Sequence, residues 1–176
     1  INEGNMNQEV LDHLSRHFNF TYSYEHVKED LYKNLGKNPK RMKEGQDIFK
    51  TGDHDYIARR TYLASARFMR LYELFNKPNQ NIFQLDCDTV LRNGFHQNDF
   101  RQIASEVAVM PKPKDPGVFI ASALCLGTGD KGLRFRKLFS NNMIEAFKKD
   151  IYWFVDQDVL RSTMDEWTAL GEKYSY

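Results

Sequence analysis

The chain has 176 residues, enough for one domain with a substantial hydrophobic core. Its 25 Lys and Arg balance 24 Asp and Glu to a net charge of +1, so no global field draws it to nucleic acid or to an anionic membrane. Aromatics at 14% argue against disorder, Cys87 and Cys125 lack the spacing of a zinc site, and no apolar run reaches the roughly 18 residues of a transmembrane helix.

Taken in order, residues 6–17 place Val10, Leu11 and Leu14 at helical spacing and predict a helix. Residues 18–24, from Phe18 to Tyr24, alternate aromatic and polar side chains, the period of a strand. Between Glu25 and Lys50 the chain is highly charged, with Gly36, Pro39 and Gly45 interrupting it, and no element emerges. Its basic cluster at 37–43 reads as a solvated loop. Ile57, Leu63, Ala64, Phe68, Leu71 and Leu74 predict a helix over 54–76. After a break at 77–80, the apolar run 81–85 is too short for a helix and reads as a buried parallel strand ending at Asp86. Residues 99–109 read as a helix, 110–117 as a loop with prolines at 111, 113 and 116, and 118–129 as a strand ended by glycines. The chain from Gly132 to Trp167 reads as mostly helical. Helix, short turn and buried strand is α/β grammar, and the expectation is a mixed, mostly parallel Rossmann-like sheet flanked by helices.

Chemistry enters at Asp86-Cys87-Asp88. Asp-x-Asp also occurs at Asp53/Asp55 and Asp156/Asp158, and 14 aspartates produce such triplets by chance, so context must decide. Only Asp86/Asp88 follows a strand-like run, which puts its carboxylates at a strand's carboxyl end, where open α/β sheets bind ligands. A solvated turn is the plain alternative. Functionally, paired carboxylates suit Mg2+ or Mn2+, hard ions that bridge protein oxygens to substrate phosphates.

The stretch 62–93, "YLASARFMRLYELFNKPNQNIFQLDCDTVLRN", resembles the GT-A class of nucleotide-sugar glycosyltransferases: a helix bearing Tyr62-x-x-Ser65-x-Arg67-Phe68, a short break, then an apolar strand ending in Asp-x-Asp. Farther on, 118–132 looks like the family's small-residue strand, and "WFVDQDVL" at 153–160 looks like its Asp-Gln helix start. The resemblance implies a GT-A-like fold over a single domain, 1–176. It also implies a hexosyl transfer from a nucleoside-diphosphate sugar to a hydroxyl of a glycan, protein or lipid, aided by Mn2+ or Mg2+. Asp86 and Asp88 would then hold the metal, and Tyr62, Ser65, Arg67 and Asp86 would contact the donor. Asp156 and Gln157 would stand near sugar and acceptor, an arrangement resembling the retaining branch. Their plain alternative is a helix cap.

Two departures from the family pattern accompany the likeness. "INEGN" at 1–5 looks like the loop after the family's first strand, which this sequence lacks, so a fragment or an abbreviated fold is expected. The family's histidine metal ligand has no clear counterpart; His96 is the nearest candidate and reads more simply as a surface residue. Two other functions compete. Asp86, Asp88 and Val90 also match the D-x-D-x-[TV] opening of haloacid-dehalogenase-type phosphohydrolases, and the chain could be a non-catalytic relative that binds nucleotide or glycan. The opening residues carry no signal-peptide pattern, so a cytoplasmic location without membrane span or nucleic-acid partner is expected.

Overall fold

The computed structural model describes residues 8–17, 54–76, 81–86, 106–127, 129–149, 152 and 154–176. The elements are α1 (Gln8–His17), α2 (His54–Met69), α3 (Leu71–Leu74), β1 (Ile82–Leu85), β2 (Val107–Lys112), β3 (Asp115–Leu126), α4 (Asp130–Lys149) and α5 (Val155–Ala169). Expectations at 18–50 and for the first half of the helix at 99–109 fall outside the described residues. No described helix is long and apolar enough to cross a membrane.

Two compact units divide the chain. The first comprises Ile1–Arg67 and Ala146–Trp153; the second comprises Phe68–Glu145 and Phe154–Tyr176. In the first, α2 buries Thr61, Tyr62, Ser65 and Ala66, a spacing that keeps them on one helical face. Tyr62 meets Phe147 edge to face, with ring centroids 6.1 Å apart.

The second unit overturns the expected sheet. Its described strands form one three-stranded sheet in the order β1-β3-β2 with both pairings antiparallel, so among the described residues the expected mostly parallel, Rossmann-like GT-A sheet is replaced by an antiparallel one. The physical reason lies at 107–126. Only Pro113 and Lys114 separate β2 from β3, and a two-residue connection can join antiparallel strands but not parallel ones. Thus Val107, Ala108 and Val109, predicted as the end of a helix, are buried strand residues. The predicted proline loop is largely a hairpin. Pro111 sits beside a register shift between Pro111 and Lys112, where a missing N–H is tolerated. A second shift, between Val109 and Met110, takes the pairing from Leu124 to Ile120 and bends the ladder. β1 is not a buried parallel strand: it pairs Ile82 with Leu126 and Leu85 with Ala123, and Phe83 is exposed.

The helix predicted over 54–76 breaks at Arg70, and the cause is a side chain from α4. In an unbroken helix the Tyr72 N–H would bond to the Phe68 carbonyl. Instead it donates to Ser140 Oγ at 3.0 Å, and Ser140 Oγ donates to the Phe68 carbonyl at 2.9 Å. An inserted hydroxyl therefore splits the ladder and makes α3 a separate turn. Along α4, Gly132, Phe135, Arg136, Phe139, Ser140 and Met143 are buried at three- and four-residue steps. This stripe packs aromatic rings: Phe139 lies 5.1 Å from Phe68, and Phe135 stands edge-on to Trp167 of α5 at 5.4 Å. α5 buries Val159, Leu160, Met164 and Trp167 and packs on β3. Cys125 of β3 is a buried free thiol whose pKa burial pushes up, in keeping with its apolar sequence context.

Candidate functional site

β1 delivers the first carboxylate of the Asp86-Cys87-Asp88 triplet. The ladder continues one residue past the strand, with the Asp86 N–H donating to the Ser122 carbonyl at 3.2 Å, so the backbone under Asp86 is held by β3. Asp86 is half-buried. Strand alternation puts Gln84 on the same face. Cys87, Asp88 and His96 lie outside the described residues. Among the described residues, no group of three His, Cys, Asp or Glu side chains is placed to hold a metal ion. Of the triplet, the described residues include one carboxylate, Asp86, an oxygen donor of the chemistry that a hard divalent cation takes.

Asp156 and Gln157 lie in the first turn of α5, both half-buried. Phe154 precedes them in the left-handed region at φ 73° and provides no side-chain cap. The exposed end of the helix is served instead by Asp156, whose Oδ1 accepts the Gln157 N–H at 2.9 Å, and by the Phe154 carbonyl, which accepts the amides of Gln157 and Asp158. Negative charge at Asp156 and Asp158 also suits the positive end of the helix dipole. Asp156 is therefore not the N-cap residue, a place held by Phe154; it lies one residue inside the helix, where its carboxylate meets the adjacent amide.

Tyr62, Ser65 and Arg67 lie on α2, in the first unit. Tyr62 and Ser65 are 2% and 1% exposed, so both are interior residues, while Arg67 is half-buried in the last turn. Asp86, Asp156 and Gln157 belong to the second unit.

A polar cluster that the motif reading passed over lies where β3 leads into α4. The Gly127 N–H donates to the Glu106 carbonyl at 2.7 Å, and Glu106 Oε2 accepts the Gly132 N–H at 2.9 Å. A carboxylate thereby caps α4 from the residue preceding β2. Close approach explains the glycines: a Cβ at Gly129 would stand 2.1 Å from Glu106 Oε1, and one at Gly132 would stand 2.2 Å from the Gly127 carbonyl oxygen. Glu106 itself adopts φ 61°, uncommon for a residue with a side chain. Its sequence signal was legible, because Gly127-x-Gly129-x-x-Gly132 after an apolar run is a spacing associated with loops that cradle phosphates. Here the loop holds the chain's own carboxylate.

Behind this loop Arg136 is fully buried. Its Nη1 donates to the Phe75 carbonyl at 3.0 Å, and Nη2 donates to the carbonyls of Gly127 and, at 3.4 Å, Leu126. The guanidinium therefore ties the end of α3 to the end of β3. Burial lowers its pKa below the ordinary arginine value, and the negative charge of Glu106 opposes that shift. Comparison with protein-family models, with curated proteins and with solved structures gave no match for this chain.

Proposed function

We propose that this chain is a metal-dependent glycosyltransferase that moves a sugar from a nucleoside-diphosphate donor to a hydroxyl acceptor. One observation carries the reading. Of the three Asp-x-Asp triplets, Asp86/Asp88 is the one introduced by a strand, whereas Asp55 belongs to α2 and Asp156/Asp158 to the first turn of α5. The likeness of 62–93 and 153–160 to nucleotide-sugar transferases supports it further, since Tyr62-x-x-Ser65-x-Arg67 is helical and Asp156-Gln157 opens a helix. The antiparallel sheet means that the proposal rests on these residues and not on a shared architecture.

In this reading Asp86 and Asp88 hold Mn2+ or Mg2+, which supplies charge neutralisation to the departing nucleoside diphosphate. Asp156 accepts a hydrogen bond from the acceptor hydroxyl, and Gln157 orients the sugar through its amide. Calorimetric titration of UDP, GDP and inorganic phosphate, each with and without Mn2+, tests the proposal. One diphosphate should bind in a metal-dependent manner, and Asp88→Asn should abolish that binding while Asp158→Asn retains it. If Asp88→Asn binds with unchanged metal dependence, or neither diphosphate binds the parent, the assignment is wrong.

A further inference from the structure

Beyond α5 the chain turns at Leu170 and Gly171, where Gly171 takes φ 79°. The turn is held by its own backbone, with the Gly171 N–H on the Thr168 carbonyl and the Glu172 N–H on the Trp167 carbonyl. Each of the next four residues then has a separate anchor. The Glu172 carboxylate meets Lys131 Nζ at 3.0 Å and is also paired with Arg134. Trp167 Nε1 donates to the Lys173 carbonyl at 3.3 Å, and the Tyr174 ring stands edge-on to Phe119 with centroids 5.8 Å apart. Ser175 donates its N–H to the Val107 carbonyl at 2.9 Å and accepts the Val109 N–H at 3.1 Å, a one-residue parallel bridge to β2.

The first and last of these anchors fall on the flanks of one contact. Val107 follows Glu106 in the chain, and Lys131 precedes Gly132, the residue whose amide Glu106 caps. Segment 172–175 therefore straddles the closure between the Glu106 loop and the start of α4. Arg134 is oriented for its part by Trp167, over whose ring the guanidinium lies at 5.6 Å. The ion pair is a surface contact on its basic side, where Lys131 and Arg134 are 50% and 56% exposed, so water and salt reach it. The contacts beneath it are backbone bonds and aromatic packing.

We infer that residues 172–175 form a latch that keeps Glu106 closed on the first turn of α4, with Gly171 as its hinge. With the latch engaged, Val107 and Lys131 are fixed on either side of Glu106, and the cap on Gly132 is held. With the latch released, β2 loses its bridge, the start of α4 loses Glu172, and the Glu106 bonds to Gly127 and Gly132 open more often. The coupling is local because both anchors are one residue from the groups they restrain.

Amide hydrogen exchange on Glu172→Gln and, separately, Ser175→Pro tests this. The first removes the charge at almost constant shape, and the second removes the N–H that bonds to Val107. The amides of Gly127 and Gly132 should exchange faster than in the parent in both variants, by about fivefold in Ser175→Pro, which loses a backbone bond, and by about twofold to fivefold in Glu172→Gln, whose exposed ion pair is weaker. The Asp86 amide, bonded to Ser122 on the other side of β3, should exchange as before. If Val109 alone accelerates while Gly127 and Gly132 do not, the segment is a passive edge strand and the latch is refuted. It is equally refuted if Asp86 accelerates to the same extent, since the change is then a general loss of stability, or if no amide responds.

Discussion

Replacing Arg136 by Met asks whether a buried guanidinium stabilises this unit or merely occupies it. The linear methionine side chain keeps much of the apolar stem, which lies in the buried stripe of α4 between Phe135 and Phe139, but removes every donor. Three carbonyls lose a partner: Phe75, whose bond is 3.0 Å, Gly127, and Leu126, whose 3.4 Å contact is weak. An acceptor left unsatisfied costs about 1 kcal/mol or more when buried and less where water reaches it, as at the part-buried Phe75 and Gly127 carbonyls, so the three contacts set the loss at no more than about 2–3 kcal/mol. Against this stands the cost of holding a cation out of water, visible in the lowered Arg136 pKa and recovered on substitution. Neutral carbonyls can recover less by relaxing than a bare charge, and we expect the hydrogen-bond loss to win. For a urea slope of about 2 kcal/mol/M the unfolding midpoint should fall by at most about 1–1.5 M, less the part offset by recovered desolvation, with unchanged slope. Arg136→Lys should recover only part of this, because a single ammonium cannot fork to carbonyls of three residues. An unchanged or raised midpoint in Arg136→Met would mean that guanidinium desolvation outweighs its hydrogen bonds, and the argument would fail.

Ser140→Ala removes the hydroxyl that separates Phe68 from Tyr72. The variant should lose about 1–2 kcal/mol in the same urea experiment, since both backbone groups lose a partner and only a straightened α2–α3 junction could reunite them; a stabilised variant would show that the break was strain imposed by α4. Tyr174 is pushed up to about 12 by its hydrogen bond with Tyr176 and by burial. Because the folded pKa lies above the ordinary value of about 10, its contribution to stability is complete below pH 10 and declines as pH rises towards 12. Absorbance of the phenolate should therefore include a late-titrating component from Tyr174, and Tyr176→Phe should bring that component earlier; an unchanged titration in Tyr176→Phe would refute the hydrogen-bond origin of the shift.

Periodicity alone located the helical course of α2, most of α4 and α5, and the runs that became β1 and β3. Each of these signals is local: a buried face repeats every three or four residues in a helix, and an apolar run of five residues is too short for anything but a strand. The same locality placed Asp86 at a strand end and made Cys125 a buried thiol. Pairing direction is another matter, since the run at 81–85 carries no mark of whether its neighbour runs parallel or antiparallel. That was decided by β3, which the two-residue turn at Pro113-Lys114 folds back against β2 and whose far end accepts β1. Residues 107–109, plausible as helix by composition, became strand because β3 and Ser175 supply their hydrogen bonds. The break at Arg70 has no glycine or proline to announce it; it arises from the Ser140 hydroxyl on a helix far along the chain. Glu106 and Arg136, in turn, look like ordinary charged residues until folding closes a glycine loop on one and an apolar stripe on the other. Sequence by itself determined which segments could be helix or strand, because those preferences are set within a few residues. Tertiary structure decided strand direction, the helix break and the burial of charge, because each depends on a partner that only folding brings near.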